Sequence, residues 1–421
     1  MSMPQLKLEC LGGAREVGRS AFMLDNGKER ILMDYGFHPE ENELPLPAKR
    51  VDVMMLNHPH LDHSGAVPTL YRRAAFPLYT TAACFDQAWL LWKDTMKLAR
   101  LKGKPMIFTA RETEKVEQNV QRITFGQTIN TRTATVSFHD AGHVPGSFYS
   151  IIETGKKRIL YTSDFKMEDT RLLRAANFKR VKGIDILLTE STYASREHTE
   201  RKQTENKLIQ IVKNTIDNDG TAVIPVFAVG RAAEILMVVH SAKPNFPIYI
   251  DGMAREATEI ALRYPELLRD PKALQAAVDH AIPLYTDEER AAALKSPCTI
   301  ITTGGMLEGG PVVFYLKRLY TRPESSLTLT GYQAPRTAGR YLQDTGRYVT
   351  AEVDMAVKMQ INYLDFSAHA GRTELFDLVK QLSPEKVICV HGDNCERFAT
   401  ELRGRFGVNA VAPEIGETVL L

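Results

Sequence analysis

Three imidazoles and a carboxylate fall within six residues, at His58, His60, Asp62 and His63. Imidazole nitrogen suits zinc, and a mixed imidazole and carboxylate set suits zinc, iron or manganese. His58 and His60 can face one cation while Asp62 and His63 face a second. A surface loop that happens to be rich in histidine is the plain alternative, and the order of the four groups speaks against it. That is the composition of a metal site.

Such groups need a rigid support. The run VDVMML over 51–56 reads as a short buried strand, and a helical pattern over 66–73 follows Ser64 and Gly65. The ligand run thus occupies a strand-to-helix loop, where a sheet can hold several side chains around one point. Other ligand-type residues repeat that placement. Asp34 follows the strand pattern 30–33, His143 lies in the Gly/Pro turn 141–147, and Asp164 closes a strand that begins at 158. Glu190 stands just beyond the apolar run 185–189, His369 falls in FSAH, and His391 follows the strand pattern 386–390.

Between these points the chain alternates its elements. Strands with glycine-rich turns fill 5–33, and helical patterns follow over 82–101 and 111–121. The stripe of Phe85, Trp89 and Trp92 in the first helix has core periodicity, which accounts for it without a base-stacking role. From about 200 to 348, helices alternate with apolar strands, the signature of a doubly wound parallel α/β domain inserted into the first. A strand at 356–361 then begins the return. The glycine-rich segments LGGAREVG and TTGGMLEGG match no nucleotide-loop pattern.

At 421 residues the chain is long for one core, so two domains are expected. Lys and Arg total 53 against 51 Asp and Glu, so any affinity for nucleic acid requires a local arrangement of charge. No stretch reaches the roughly 20 apolar residues of a membrane span, and the first residues lack a signal pattern, which predicts a cytoplasmic protein. The five cysteines show no CxxC spacing, so they are expected reduced and mostly buried.

The motifs in their order, HPHLDH, AGHVPGS, YTSDF, TEST, SAHA and VHGD, resemble those of the β-CASP nucleases of the metallo-β-lactamase fold. The resemblance covers nearly the whole chain, and looks most like the archaeal relatives, without KH domains, of the endonuclease subunit of the cleavage and polyadenylation specificity factor. It implies an α/β protein, a metallo-β-lactamase αββα sandwich at 1–198 and 351–421 with an inserted β-CASP domain at 199–350. It implies a zinc-dependent ribonuclease with two zinc ions per chain, acting on RNA by a two-metal mechanism. One zinc would be held by His58, His60, His143 and Asp164, the other by Asp62, His63, Asp164 and His391, with Asp164 bridging. Asp34 would orient a histidine ligand, and Glu190 with His369 would protonate the leaving oxygen. Asp62 counts among the catalytic residues as well as the ligands.

RNA-processing members carry histidine at the position of His391 where the DNA-repair branch has valine, which favours RNA. Arg231, at a strand-to-helix junction beside Gly230, is placed for a phosphate, and Arg336 and Arg340 are further candidates for RNA contacts. The chain departs from the usual pattern at Ala194, where glycine is common, and at Gly371 and Arg372 after SAHA; the second departure bears on recognition of an RNA 5′ end. Two other readings compete: a non-catalytic RNA-binding subunit of a processing complex, and a hydrolase of small esters on the same fold. The intact ligand set opposes the first, and the inserted domain with Glu190 and His369 opposes the second. The sequence is compatible with a homodimer and leaves open whether cleavage is internal or proceeds from the 5′ end.

Overall fold

A computed structural model describes residues 5–38 and 43–421. The chain divides into two compact units, the first comprising Met1–Asp169, Ala175–Glu197 and Ala368–Leu421, the second Thr170–Arg174 and His198–Ser367.

In the first unit the strands β1 (Lys7–Gly12), β2 (Ala21–Asp25), β3 (Arg30–Met33), β4 (Val53–Met55), β5 (Leu78–Thr81) and β6 (Val120–Ile123) lie side by side in chain order, and the last strand, β22 (Thr418–Leu420), flanks β1. A second sheet has the order β21 (Asn409–Val411), β20 (Lys386–Val390), β11 (Ile186–Glu190), β10 (Lys157–Tyr161), β9 (Phe148–Thr154), β8 (Ala134–Asp140) and β7 (Thr128–Asn130). Phe22, Ile31 and Met55 of one sheet pack with Phe138, Ile152 and Leu188 of the other, forming the central layer. Helices α1 (Leu61–Ser64), α2 (Val67–Leu70), α3 (Ala82–Leu101) and α4 (Ala110–Asn119) accompany the first sheet, and α12 (Arg372–Leu382) and α13 (Cys395–Phe406) cover the second. This is an αββα sandwich. Inner strands such as β2, β4 and β11 are apolar and buried on both faces because each face is covered, whereas the edge strands β6, β7 and β22 expose residues.

The second unit is built on six parallel strands ordered β14 (Ile282–Leu284), β13 (Ile248–Asp251), β15 (Cys298–Thr303), β12 (Thr221–Val226), β16 (Ser326–Leu329) and β19 (Gln360–Tyr363). The helices α5 (Arg201–Asp217), α6 (Arg231–Ser241), α7 (Met253–Leu262) and α8 (Pro271–His280) pack on one face; α9 (Asp287–Ala293), α10 (Val312–Leu319) and α11 (Ala338–Thr345) pack on the other. All six residues of both β12 and β15 are buried, as central strands of a doubly wound sheet must be. The sequence pattern set the end of the inserted domain at 350, whereas the second unit runs to Ser367. The reason is pairing: the expected strand 356–361 is two strands, β18 (Asp354–Ala356), joined to β17 (Arg347–Val349), and β19, which extends the parallel sheet through β16.

Two local features set the ligand loop. Residues 35–37 run beside 61–63, with Tyr35 N donating to His63 O at 2.8 Å and Phe37 N to Leu61 O at 3.0 Å. Gly36 permits this approach, since a Cβ there would lie 1.8 Å from the Asp62 carbonyl oxygen. From the other side Trp92, fully buried in α3, donates its indole N–H to Ser64 O at 3.0 Å. The aromatic stripe is therefore core, as its periodicity indicated, and it also pins the loop. All five cysteines are free and buried.

Candidate metal centre

Every metal-site and acid-base residue singled out in the sequence lies in the first unit, and the structure brings them together at carboxyl ends of strands. Asp34 follows β3, the run His58 to His63 follows β4, Asp164 follows β10, Glu190 ends β11 and His391 follows β20. His143 sits in the turn between β8 and β9, and His369 in the loop before α12. Asp34, Ser163 and His391 adopt φ of 55°, 49° and 50°, a left-handed conformation that non-glycine residues rarely take. Each strand thus turns sharply where it delivers a functional side chain, strain of a kind that concentrates at functional sites.

The donor atoms of His58, His60 and His143 lie within 4.8 Å of one another, as do those of Asp62, His63, Asp164 and His391, and those of His143, Asp164 and His369. Asp164 joins the groups: its Oδ2 is 3.3 Å from His63 Nε2, 3.7 Å from His58 Nε2 and 3.8 Å from His143 Nε2, and its Oδ1 is 3.4 Å from His391 Nδ1. Asp62 Oδ2 is 3.3 Å from His391 Nε2.

Hydrogen bonds at the rear of the rings settle which nitrogen faces inward. His143 Nδ1 donates to the Ala368 carbonyl at 2.8 Å, and His63 Nδ1 lies 2.8 Å from Asp34 Oδ2, so Nε2 of each points into the cluster. Those two Nε2 atoms and Asp164 Oδ1 are buried without a hydrogen-bond partner. Buried polar atoms left so cost free energy unless something else satisfies them, and a cation does. Burial, with the neighbouring His60 and His143, pulls the His58 imidazole well below its ordinary pKa; burial and His369 do the same for His143. Neutral imidazoles are what a metal requires. His63 is the opposite case: burial works against its charge, yet Asp164, Asp62 and Asp34 hold it well above the ordinary value. That surplus of carboxylate is the field a divalent cation would balance. The donor set fits borderline cations of the zinc type.

Asp34 has no exposure and acts entirely through others. Its Oδ1 accepts from Asn57 N at 2.8 Å, while Oδ2 accepts from Tyr161 OH at 2.7 Å and Ser163 Oγ at 3.3 Å besides facing His63. Burial and Asp34 itself push the Tyr161 hydroxyl well above its usual pKa, so it stays a donor. Asn in place of Asp34 would turn an amide N–H₂ or a weakened acceptor toward these donors. Asp34→Asn is therefore expected to weaken metal binding by roughly 10- to 100-fold, the usual cost of losing such a partner. Competition with a chelator measures it; wild-type affinity in the variant would contradict the role.

Glu190 and His369 form a pair of their own, with His369 Nδ1 2.9 Å from Glu190 Oε2. Glu190 is buried and fixed by Phe165 N, which donates to Oε1 at 2.9 Å. Burial opposes charge on His369, but Glu190 and Asp164 outweigh it and bring the pKa up to about 9. That direction favours the charged ring, whose N–H can donate.

Sequence reasoning passed over Asn57, Tyr161, Ser163 and Tyr193. Tyr161 and Ser163 belong to the YTSD motif, and that closeness to Asp164 was the available signal; Tyr193, just after the TEST segment, packs its ring 5.8 Å from that of His369. Arg372, in the departure after SAHA, is committed within the first unit: its Nη1 donates to Ala194 O at 2.6 Å, it forms an ion pair with Glu401, and its guanidinium lies over the Phe376 ring. Arg231, Arg336 and Arg340 belong to the second unit. Arg231 opens α6 and donates from Nη1 to Thr330 O at 3.1 Å; Arg340 is exposed and paired with Asp344 at 2.8 Å; Arg336 is exposed with φ of 70°.

Comparison with known proteins adds three family matches. Residues 20–193 match the metallo-beta-lactamase superfamily domain, 232–342 the Beta-Casp domain and 354–413 the Zn-dependent metallo-hydrolase RNA specificity domain. The protein "Probable RNase MJ4" of Methanocaldococcus jannaschii is 35% identical, over 97% of this chain and 98% of its own length. "RNase aCSPSF2" of Saccharolobus solfataricus is 34% identical over 98% of this chain and 85% of its own, and "Transcription termination factor FttA" of Pyrococcus horikoshii is 33% identical over 99% and 71%. A crystal structure of an Enterococcus faecalis protein of unknown function shares the fold, with a TM-score of 0.62 at 16% identity over 99% of this chain and 100% of that one.

Proposed function

From a chain that belongs to the β-CASP family of metallo-β-lactamase-fold ribonucleases, we infer a metal-dependent hydrolase of RNA phosphodiester bonds whose centre takes two zinc ions per chain. The observation that carries this reading is Asp164, one buried carboxylate within 3.3 to 3.8 Å of three histidines from two ligand groups. His58, His60 and His143 with Asp164 would hold one cation, and Asp62, His63 and His391 with Asp164 the other. When bound, such a pair supplies Lewis-acid polarisation of the phosphoryl group and of the attacking water.

The chain's own residues do the rest. Asp34 keeps His63 Nε2 turned inward, and Ala368 does so for His143. Glu190 holds the His369 imidazolium, which gives its proton to the oxygen leaving phosphorus. Among the described residues no helix is long and apolar enough to cross a membrane, and a cytoplasmic location remains part of this proposal.

Purified protein is expected to carry about two zinc ions per chain. Elemental analysis of active enzyme finding no transition metal would sink the reading, and manganese would revise only the metal. One RNA labelled at either end, supplied with 5′-monophosphate, with 5′-triphosphate and as a circle, then separates internal cleavage from digestion that starts at the 5′ end. Activity on a panel of small esters without cleavage of any of these RNAs would decide against a ribonuclease.

A further inference from the structure

The segment after Glu190 carries an arginine in a built position. Tyr193 is buried, its ring 5.8 Å from the His369 ring, and the exposed Arg196 lays its guanidinium over the Tyr193 ring with Cζ 4.5 Å from the centroid. The backbone beneath is fixed. Ala194 N donates to Ser191 O at 3.1 Å, Arg196 N to Tyr193 O at 3.2 Å and Arg372 N to Arg196 O at 3.2 Å, while the Arg372 side chain grips Ala194 O at 2.6 Å.

Stacking uses the face of a guanidinium, whereas its N–H donors lie in its plane and suit the fork geometry of a phosphate. A ring contact also restrains a side chain whose freedom would otherwise be lost on binding. The cation is held no farther from His369 than the sum of those two ring distances, within reach of a neighbouring linkage of a strand whose scissile phosphate lies at the cluster. Tyr193, which carries it, packs on His369, read above as the proton donor to the leaving oxygen.

We propose that Arg196, seated on Tyr193, binds the phosphate linkage adjacent to the scissile one on the leaving-group side, and so sets the register of RNA in the site. This rests on the ribonuclease reading above, with His369 as proton donor. The competing role for Arg196 is structural, a cover for the Tyr193 ring.

The test uses short RNAs in which a single linkage at a time is an uncharged methylphosphonate, cleaved by the metal-loaded wild type and by Arg196→Ala. The variant is expected to raise KM roughly tenfold with little change in kcat, as loss of one charge-assisted contact does. The slope of log affinity against log salt should fall by about one. Wild type should lose affinity when the first linkage on the leaving-group side is neutral, and Arg196→Ala should be indifferent to that substitution alone. Arg196→Lys, which keeps the charge, should retain most of the salt slope. An unchanged slope, or equal sensitivity of wild type and Arg196→Ala at every linkage, would overturn the proposal while leaving the ribonuclease reading intact. Failure of the wild type to cleave RNA would overturn both.

Discussion

Asp164→Ala is expected to lose metal and to cleave RNA on the order of ten-thousandfold more slowly than the wild type, equivalent to about 5.5 kcal/mol of transition-state stabilisation. The carboxylate is 1% exposed and is approached by His58, His63, His143, His369 and His391, the last through its other oxygen. Burial alone would favour its protonated form, yet His63, His391 and His369 hold it well below the ordinary carboxylate range. Without it the imidazoles of both groups face one another with no shared anion, and His58 and His143 already resist charge. RNA affinity should largely survive, because phosphate contacts are spread along the substrate. Elemental analysis and single-turnover cleavage decide the matter. A variant that keeps both metals and full turnover, free of contaminating ribonuclease, would remove Asp164 from the centre.

His369→Ala should leave both metals bound and slow cleavage by roughly a hundredfold to ten-thousandfold, the usual value of a general acid. The pair geometry argues for this division. His369 Nδ1 faces Glu190 at 2.9 Å and is farther, 3.9 Å, from Asp164. Glu190→Gln should act in the same direction, since it removes the charge that favours the imidazolium while its side-chain carbonyl can still accept from Phe165 N. If the two act as a unit, the double variant is little worse than His369→Ala alone. Metal loss on changing His369, or full additivity of the two changes, would assign His369 to the cation of the His143 and Asp164 group instead.

What the sequence disclosed and what it withheld follow from how local each signal is. HPHLDH concentrates four groups in one loop, and Asp164, Glu190 and His391 each announce themselves by following an apolar run, so strand periodicity alone located them. The helix over 82–101 was legible to the residue, because Thr81 caps it and its apolar stripe is continuous. Tyr161 was not legible: inside a buried strand a tyrosine reads as core, and its bond to Asp34 spans 127 positions. Tyr193 and Arg196 depend likewise on His369 arriving from far along the chain. The expected boundary near 350 and the end of the second compact unit at Ser367 differ because β17 and β18 form a small hairpin, after which β19 still joins the parallel sheet.

The interruption of the first unit by the second has a consequence for the protein during its own synthesis. Strand β20 inserts between β11 and β21, and His391 at its end bonds through its backbone N to Gly13 O at 2.7 Å, tying one of the last ligands to one of the first turns. A ribosome delivers the inserted unit in full before it delivers His369, β20 and His391. Domains fold as they emerge, so the early strands and the inserted unit can take shape while β11 still presents an open edge. During that interval the centre lacks His369 and His391. The centre can close only after the inserted unit has been made, when β20 pairs with β11 and brings His391 to Gly13.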